Sequence, residues 1–367
     1  MSTTPAVGAT DDSVLLRTEG RAAHIVLNRP RALNALTHDM VRRIDEALTA
    51  WESDPAVETV VLTGAGERGL CAGGDIRAIY EDARSGGGSS PAFWADEYRL
   101  NARIARYPKP YVAVMDGIVM GGGIGVSAHG NVRLVTERSR LAMPETGIGL
   151  APDVGGTYLL GLAPGELGTH LALTGAQIGA GDALLCGLAD HCVPSQDIQS
   201  LVDALADTPV REVLGRYAQE APASELVLWR PWIDACYGAD TVEDIVERLL
   251  TYGDPAAKET AESLLAKSPT AVKVALAAIR RARTLGPLER VLEQEFRASC
   301  AALSSPDLVE GIRAQVVDKD RNPQWSPQTF AEVTQTDVER YFAPPAQGDL
   351  HLSASDSASD SAEEVPW

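Results

Sequence analysis

The sequence predicts a layered α/β core followed by a helical C-terminal region. Three observations predict it. Short β-rich runs alternate with helix-period segments up to about residue 195, and glycine clusters stand where strands give way to helices. Beyond 195 the apolar residues recur almost entirely at helical spacing.

Taken in order, Ser13 to Arg17 and Ala23 to Leu27 read as a β-hairpin around Glu19 and Gly20. NRPRALNAL follows as an extended loop. Met40, Ile44, Ala47, Leu48 and Trp51 then mark the apolar face of an amphipathic helix. Thr59 to Gly64 (TVVLTG) and Tyr111 to Gly117 (YVAVMDG) are short buried strands. IGVSAHG is a short helix behind a triple glycine, with VRLVT a strand after it, and Ser85 to Pro91 (SGGGSSP) is a flexible loop between helices. Past residue 195, DIVERLLTYG, ETAESLLAKS, TAVKVALAAIRRART and PLERVLEQEFRASCAAL all carry helical stripes. The expected organisation is a flexible N-terminus over 1–12, an α/β core over 13–195, a helical region over 196–343 and an acidic, Ser/Ala/Asp-rich disordered tail over 344–367.

Charge narrows the function. Fifty-one acidic residues face 32 basic ones, a formal charge of −19. Nucleic acid and anionic membrane surfaces both ask for a basic footprint that this chain lacks. An anionic ligand must therefore be held by local donors against a repelling overall field. Five scattered cysteines with no CxxC pair imply reduced thiols and a cytoplasmic enzyme rather than a disulfide or zinc framework. MSTTPAVGATDD has neither a basic nor an apolar stretch of the signal-peptide kind, and no apolar run approaches the roughly 18 residues of a membrane span.

Two glycine turns carry the first chemical signal. Leu70 to Asp75 (LCAGGD) follows the strand Thr59 to Thr63, and Gly117 to Gly125 (GIVMGGGIG) follows the strand Tyr111 to Met115. A helix start leaves N–H groups unpaired, and glycine lets a ligand atom approach them. Two such amides converging on one oxygen form an oxyanion hole, worth roughly 3–4 kcal/mol per donor as charge develops on a carbonyl. Either motif alone also fits a plain tight turn. A third stretch, Ala142 to Gly156 (AMPETGIGLAPDVGG), places Glu145 and Asp153 eight residues apart. Two carboxylates near an apolar cleft suit acid, base or nucleophile roles; the alternative is that Glu145 caps a turn and Asp153 caps the helix near Gly155.

Other patterns fail on context. Gly64-Ala65-Gly66-Glu67-Arg68-Gly69 fits GxGxxG, but no helix opens after it and no acidic residue ends a second strand at the right distance. His24, His38, His129, His170, His191 and His351 show no metal-ligand spacing. The nearest approach to a serine-hydrolase elbow, Ile124-Gly125-Val126-Ser127, lacks the second glycine in register. The six Trp and nine Tyr read as packing.

Six segments in register, LNRPRALNAL, GLCAGGDIRAIY, DEYRLN, KPYVAVMDGIVMGGGIGVS, AMPETGIGLAPDVGGTYLL and VVDKDRNPQWSP, resemble the crotonase (enoyl-CoA hydratase/isomerase) superfamily from about residue 13 to 343. Within it the likeness is to the branch that hydrolyses 3-hydroxyisobutyryl-CoA in valine breakdown. The resemblance implies a (ββα)-repeat spiral core with the helical region packed on it. It implies oxyanion donors at Gly74 and Gly122, a catalytic Glu145, a second catalytic carboxylate at Asp153, and Glu97 near the substrate. The segments Leu27 to Leu36 and Ala72 to Ile76 correspond to the CoA-holding stretches, which assigns substrate contacts to Asn28, Arg29, Ala32, Leu33, Ala72, Gly73, Asp75 and Ile76, with Arg29, Arg31 and Arg77 as candidate phosphate partners. The hydratases carry a second glutamate three residues beyond the middle glycine of the triple and usually a glycine at the other carboxylate's position. Here those positions are Gly125 and Asp153, and both departures point from water addition toward thioester hydrolysis, hydratase or isomerase chemistry being the alternative. CoA is then part of the substrate, no metal or other cofactor is implied, and two assemblies stay open: the trimers or hexamers common in the family, or a chain whose helical region covers the usual contact surface.

Overall fold

The structure, a computed structural model, describes residues 12–352. The hairpin pairs β1 (Val14–Glu19) antiparallel with β2 (Ala22–Leu27), Val14 opposite Leu27. The loop after β2 is not extended as its sequence suggested. It coils into a 3₁₀ turn at Pro30–Ala32, followed by Leu33 and Asn34 in the left-handed region (φ 51° and 55°). Asn34 supports that geometry with its own side chain: Oδ1 accepts from Arg29 N at 2.9 Å and Nδ2 donates to Ala65 O at 3.0 Å. Helix α1 (His38–Glu52) starts where Thr37 accepts from Met40 N, and it buries Met40, Val41, Ile44 and Leu48.

A repeat follows. β3 (Thr59–Gly64) leads to β4 (Gly69–Cys71) and then to α2 (Ile76–Arg84) and α3 (Ser90–Ala105). β5 (Tyr111–Met115) leads to β6 (Ile118–Met120) and α4 (Gly122–Ser127). β7 (Val132–Val135) leads to β8 (Arg140–Ala142) and a 3₁₀ turn at Glu145–Ile148. The first strand of each unit joins a six-stranded sheet of order β1-β2-β3-β5-β7-β9, closed by β9 (His191–Cys192), and the second joins a three-stranded sheet of order β4-β6-β8. All pairs except β1–β2 are parallel. This is the (ββα) spiral. The GxGxxG look-alike spans the turn from β3 into β4, so it opens a strand and not a helix.

Parallel neighbours end on the same edge. The turns that leave β4, β6 and β8 must therefore come out side by side, and these are the three segments singled out in the sequence. The loop before α3 is shorter than expected, because Asp82 accepts from Ser89 N and Ser90 N (3.0 and 2.7 Å) and starts the helix at Ser90.

The helical C-terminal region shares the apolar core and is not a separate body. Its helix Leu288–Ala302 packs on α3 and on α5 (Gly156–Gly161); Phe296 meets Tyr98 edge to face, ring centroids 6.3 Å apart. Order also continues past 344, where disorder was expected: Asp349 pairs with Arg297 and Leu350 is buried. The remainder of that tail and the N-terminal 1–11 lie outside the described residues. Among the described residues no helix is long and apolar enough to cross a membrane.

A close backbone approach in the core sets β4 against α4. A Cβ built on Gly123 would stand 2.4 Å from the Cys71 carbonyl oxygen. Gly123→Ala should therefore cost about 1–3 kcal/mol as overpacking, read as a lower urea midpoint at unchanged slope. An unchanged midpoint would show that α4 can move away freely.

Candidate active site

The three turns enclose a cavity of about 300 Å³. Gly74, Gly122, Glu97, Glu145 and Asp153 line it together, with Phe93 and Trp94 of α3 as an apolar wall and Lys267, Gln315 and Val316 contributed by the helical region.

The two amides are free for a reason visible in the backbone. Leu36 N donates to Gly73 O and Asp75 N donates to Leu36 O (both 2.8 Å), a bridge that passes over Gly74 N. Gly122 N is the first helical amide of α4, with no carbonyl before it in the helix. Among the described residues neither amide donates a hydrogen bond. They face one small volume: a Cβ built on Gly122 would lie 3.2 Å from Gly74 N and 2.7 Å from Glu97 Oε1. A Cβ on Gly121, whose φ is 48°, would lie 2.8 Å from Glu145 Oε1. Glycine is required here both for the turn and for the space.

The carboxyls around that volume are buried. Glu97 and Glu145 are 2% and 6% exposed, and among the described residues Glu97 Oε1 and Glu145 Oε2 have no hydrogen-bond partner. Burial first, and then the neighbouring Asp153, push both well above the usual carboxylate range. Asp153 is also buried, but Tyr98 Oη donates to its Oδ2 at 2.8 Å. Burial raises it and that bond opposes the rise, leaving it at about 6. Asp153 does not cap α5, the alternative the sequence left open, and Glu145 caps nothing with its side chain.

The cap comes from far away. Glu295, in the helix Leu288–Ala302, accepts from Gly155 N (2.6 Å), Thr157 N (2.9 Å) and Thr157 Oγ1 (2.5 Å). Burial still pushes it up to about 8. Between Asp153 and Gly155, Val154 adopts φ 53°, an uncommon conformation for a β-branched residue. His129 Nε2 bonds Val154 O at 2.8 Å; a carbonyl only accepts, so Nε2 carries the hydrogen, and burial lowers this histidine to about 4, keeping the ring neutral. Glu295 and His129 thus fix the turn that presents Asp153.

The remaining predicted contacts divide into two sets. Ala72, Gly73 and Ile76 line the cavity beside Gly74. Asp75 lines a smaller adjoining pocket with His38 and Phe93. Arg29, a candidate phosphate partner, is engaged by Asp75 (2.9 Å) and Ala35 O (2.6 Å) and so fastens the two CoA-type segments to each other. Arg77 donates to Val316 O at 2.8 Å. Asn28 donates to Asp12 O, Arg31 and Ala32 are exposed, and Leu33 is half-buried, all outside the cavity lining. Sequence reasoning missed Tyr98, Ser299, Glu295, His129 and Lys267. Of these only Glu295 left a signal, a carboxylate set in an apolar helical stripe between Leu292 and Phe296.

The family model described as enoyl-CoA hydratase/isomerase matches residues 22–342. The 3-hydroxyisobutyryl-CoA hydrolase, mitochondrial, of Danio rerio is 42% identical over 353 residues, 92% of this chain and 91% of the relative. The human protein of the same name is 39% identical over 350 residues, 92% of this chain and 90% of that one. Among solved structures, one named as a carnitinyl-CoA dehydratase from Mycobacterium thermoresistibile superposes with a TM-score of 0.91 at 55% identity, covering 94% of this chain and all (100%) of that one.

The buried carboxyls carry a pH signature. Asp153 titrates near 3.8 when exposed and at about 6 in the fold, so between those values the folded state holds a proton the unfolded state has lost. Stability therefore falls as pH rises through that window. Asp153→Asn removes this contribution: the variant should be about 1–3 kcal/mol more stable than the wild type near pH 7.5, with the difference vanishing near pH 4. Urea denaturation at both pH values checks it, and equal stability at the higher pH would contradict the assignment.

Proposed function

We propose a mechanism for a chain that belongs to the enoyl-CoA hydratase/isomerase family and hydrolyses 3-hydroxyisobutyryl-CoA to 3-hydroxyisobutyrate and CoA. One observation carries it: two unpaired amides, Gly74 N and Gly122 N, share a small volume with the carboxyl of Glu145. The thioester oxygen sits between the amides, which stabilise the negative charge that develops as the carbonyl carbon becomes tetrahedral. Glu145, as carboxylate, either attacks that carbon, giving a mixed anhydride that water opens, or takes a proton from the water that attacks. In the first route the C–S bond breaks as the anhydride forms, and in the second as the water-derived tetrahedral intermediate collapses; either way the electron pair leaves on sulfur, and a proton completes the CoA thiol. A thiolate is a good leaving group, so the step asks for no metal or redox cofactor. Asp153 holds the 3-hydroxyl or the attacking water and exchanges the proton. Glu97 Oε1, buried without a partner inside the cavity, is placed to accept from a substrate hydroxyl or amide.

The name of the Mycobacterium thermoresistibile relative favours a second reading, in which water is added to or removed from the acyl chain. The space around Gly125 argues against it. A Cβ there would stand 2.7 Å from Val154 Cβ and 2.9 Å from Asn101 Nδ2, which leaves no room for the hydratases' second glutamate at this position. Five buried free thiols suit a reducing compartment, which the cytoplasm supplies as well as the mitochondrion in the relatives' names. One methyl on the acyl group is worth only about 1–3 kcal/mol of discrimination, so related 3-hydroxyacyl-CoA esters should turn over more slowly and not be refused.

Glu145→Gln should reduce thiol release from 3-hydroxyisobutyryl-CoA by about 10³-fold or more, with CoA affinity preserved and the fold no less stable. An active Glu145→Gln enzyme removes the assignment. A single turnover in ¹⁸O water separates the two routes, since only the anhydride route places label in the Glu145 carboxyl. Fast hydration of crotonyl-CoA by the wild type would instead establish the second reading.

A further inference from the structure

Tyr98, Ser299 and Asp153 form a chain of side-chain hydrogen bonds behind the cavity. Tyr98 Oη lies 2.8 Å from Asp153 Oδ2 and 2.9 Å from Ser299 Oγ. The tyrosine is fully buried and the serine 1% exposed. We propose that Tyr98, backed by Ser299, is the positioning residue that fixes the orientation and proton affinity of Asp153 while that carboxyl exchanges a proton. The inference rests on the hydrolytic role of Asp153 given above.

The directions of these bonds are set by the number of protons. A phenol has one. When Asp153 is ionised, Tyr98 donates it to the carboxylate, and its oxygen is left to accept from Ser299. When Asp153 is protonated and donates to Tyr98, the phenol turns its proton to Ser299, whose hydroxyl accepts as readily as it donates. Every polar atom in the chain keeps a partner in both states, and no heavy atom has to move. Nothing else nearby does this. Glu97 on α3, Glu145 in the 3₁₀ turn and Glu295 in the helix Leu288–Ala302 all face Asp153 with acidic groups, and its charge helps raise each of them. His129 is spent on Val154 O, and Lys267 lines the cavity beside Gly147. Among the described residues Tyr98 is the one side chain that donates to Asp153.

The test is the pH profile of kcat/KM for Tyr98→Phe, Ser299→Ala and the wild type. Of the coupled pair Asp153 ionises first, at about 6 with Glu145 well above it, so removing its donor raises that first ionisation. Tyr98→Phe should move the acid limb up by about one pH unit, roughly tenfold in rate on that side, and Ser299→Ala should move it the same way by less. In the Asp153→Asn background Tyr98→Phe should add little further loss. A lower rate at every pH with an unmoved limb, or a full additional loss in that background, would reduce Tyr98 to packing and overturn the proposal. If Tyr98→Phe fails to fold, the Ser299→Ala limb decides alone. If the wild type releases no thiol, the hydrolytic reading fails by itself, and ¹³C-carboxyl aspartate titration of the same proteins, with Asp153 assigned by its absence in Asp153→Asn, still decides the relay. An upward move in either variant supports it; identical titrations refute it.

Discussion

Helix α4 meets β4 and α3 at distances that exclude side chains, and the site depends on that approach. At Gly123 the nearest obstacle is a backbone carbonyl, at Gly122 it is the carboxyl of Glu97, and at Gly121 it is the carboxyl of Glu145. Side chains on these residues would push the helix outward and separate Gly122 N from Gly74 N. The parallel order β4-β6-β8 brings the turns to one edge, and the missing Cβ atoms then let the amides and carboxyls share one volume. The topology alone is not sufficient. It delivers the segments to within reach, and glycine supplies the last few ångströms.

The cost of this arrangement is electrostatic. Glu97, Glu145, Asp153 and Glu295 are all buried, and burial is the leading cause of the upward shift in each. An apolar core at these positions would be more stable. What the chain gains is a set of acids whose proton affinities differ by environment: Asp153 has a phenol donor, Glu295 has two amides and a hydroxyl, and Glu145 and Glu97 each keep an oxygen without a partner. Groups that are chemically alike are thereby given different tasks.

Much of the scaffold was legible in the sequence because its signals are local. Apolar runs on either side of Glu19 and Gly20 marked the hairpin, helical spacing marked α1 and the late helices, and glycines marked the two turns. Thr59 to Gly64 was read with the bounds the structure gives. The loop Asn28 to Leu36 misled, since its 3₁₀ turn depends on Asn34 reaching Ala65 and Gly69, residues more than 30 positions away. The support of Asp153 was hidden for the same reason. Tyr98 and Ser299 are 201 residues apart and Glu295 is 140 from Gly155. Each looks like an ordinary helical residue until tertiary packing shows what it faces. The residues that line the cavity together were named from the chain, while the groups that hold them were not.

That difference bears on why this scaffold hydrolyses where relatives of the same fold hydrate. Water addition needs two acids aimed at neighbouring carbons. The second would come from the α4 position now held by Gly125, and there the space is taken by Val154 and Asn101. Val154 is in that place because its turn is left-handed, and the turn is held by His129 on one side and Glu295 on the other. The same turn carries Asp153 into the cavity. Closing the position of one acid and presenting the other are therefore consequences of a single backbone conformation. Restoring a glutamate at Gly125 alone would meet Val154 and would not rebuild a hydratase. The turn would have to change with it, and with the turn would go the buried carboxyl of Asp153.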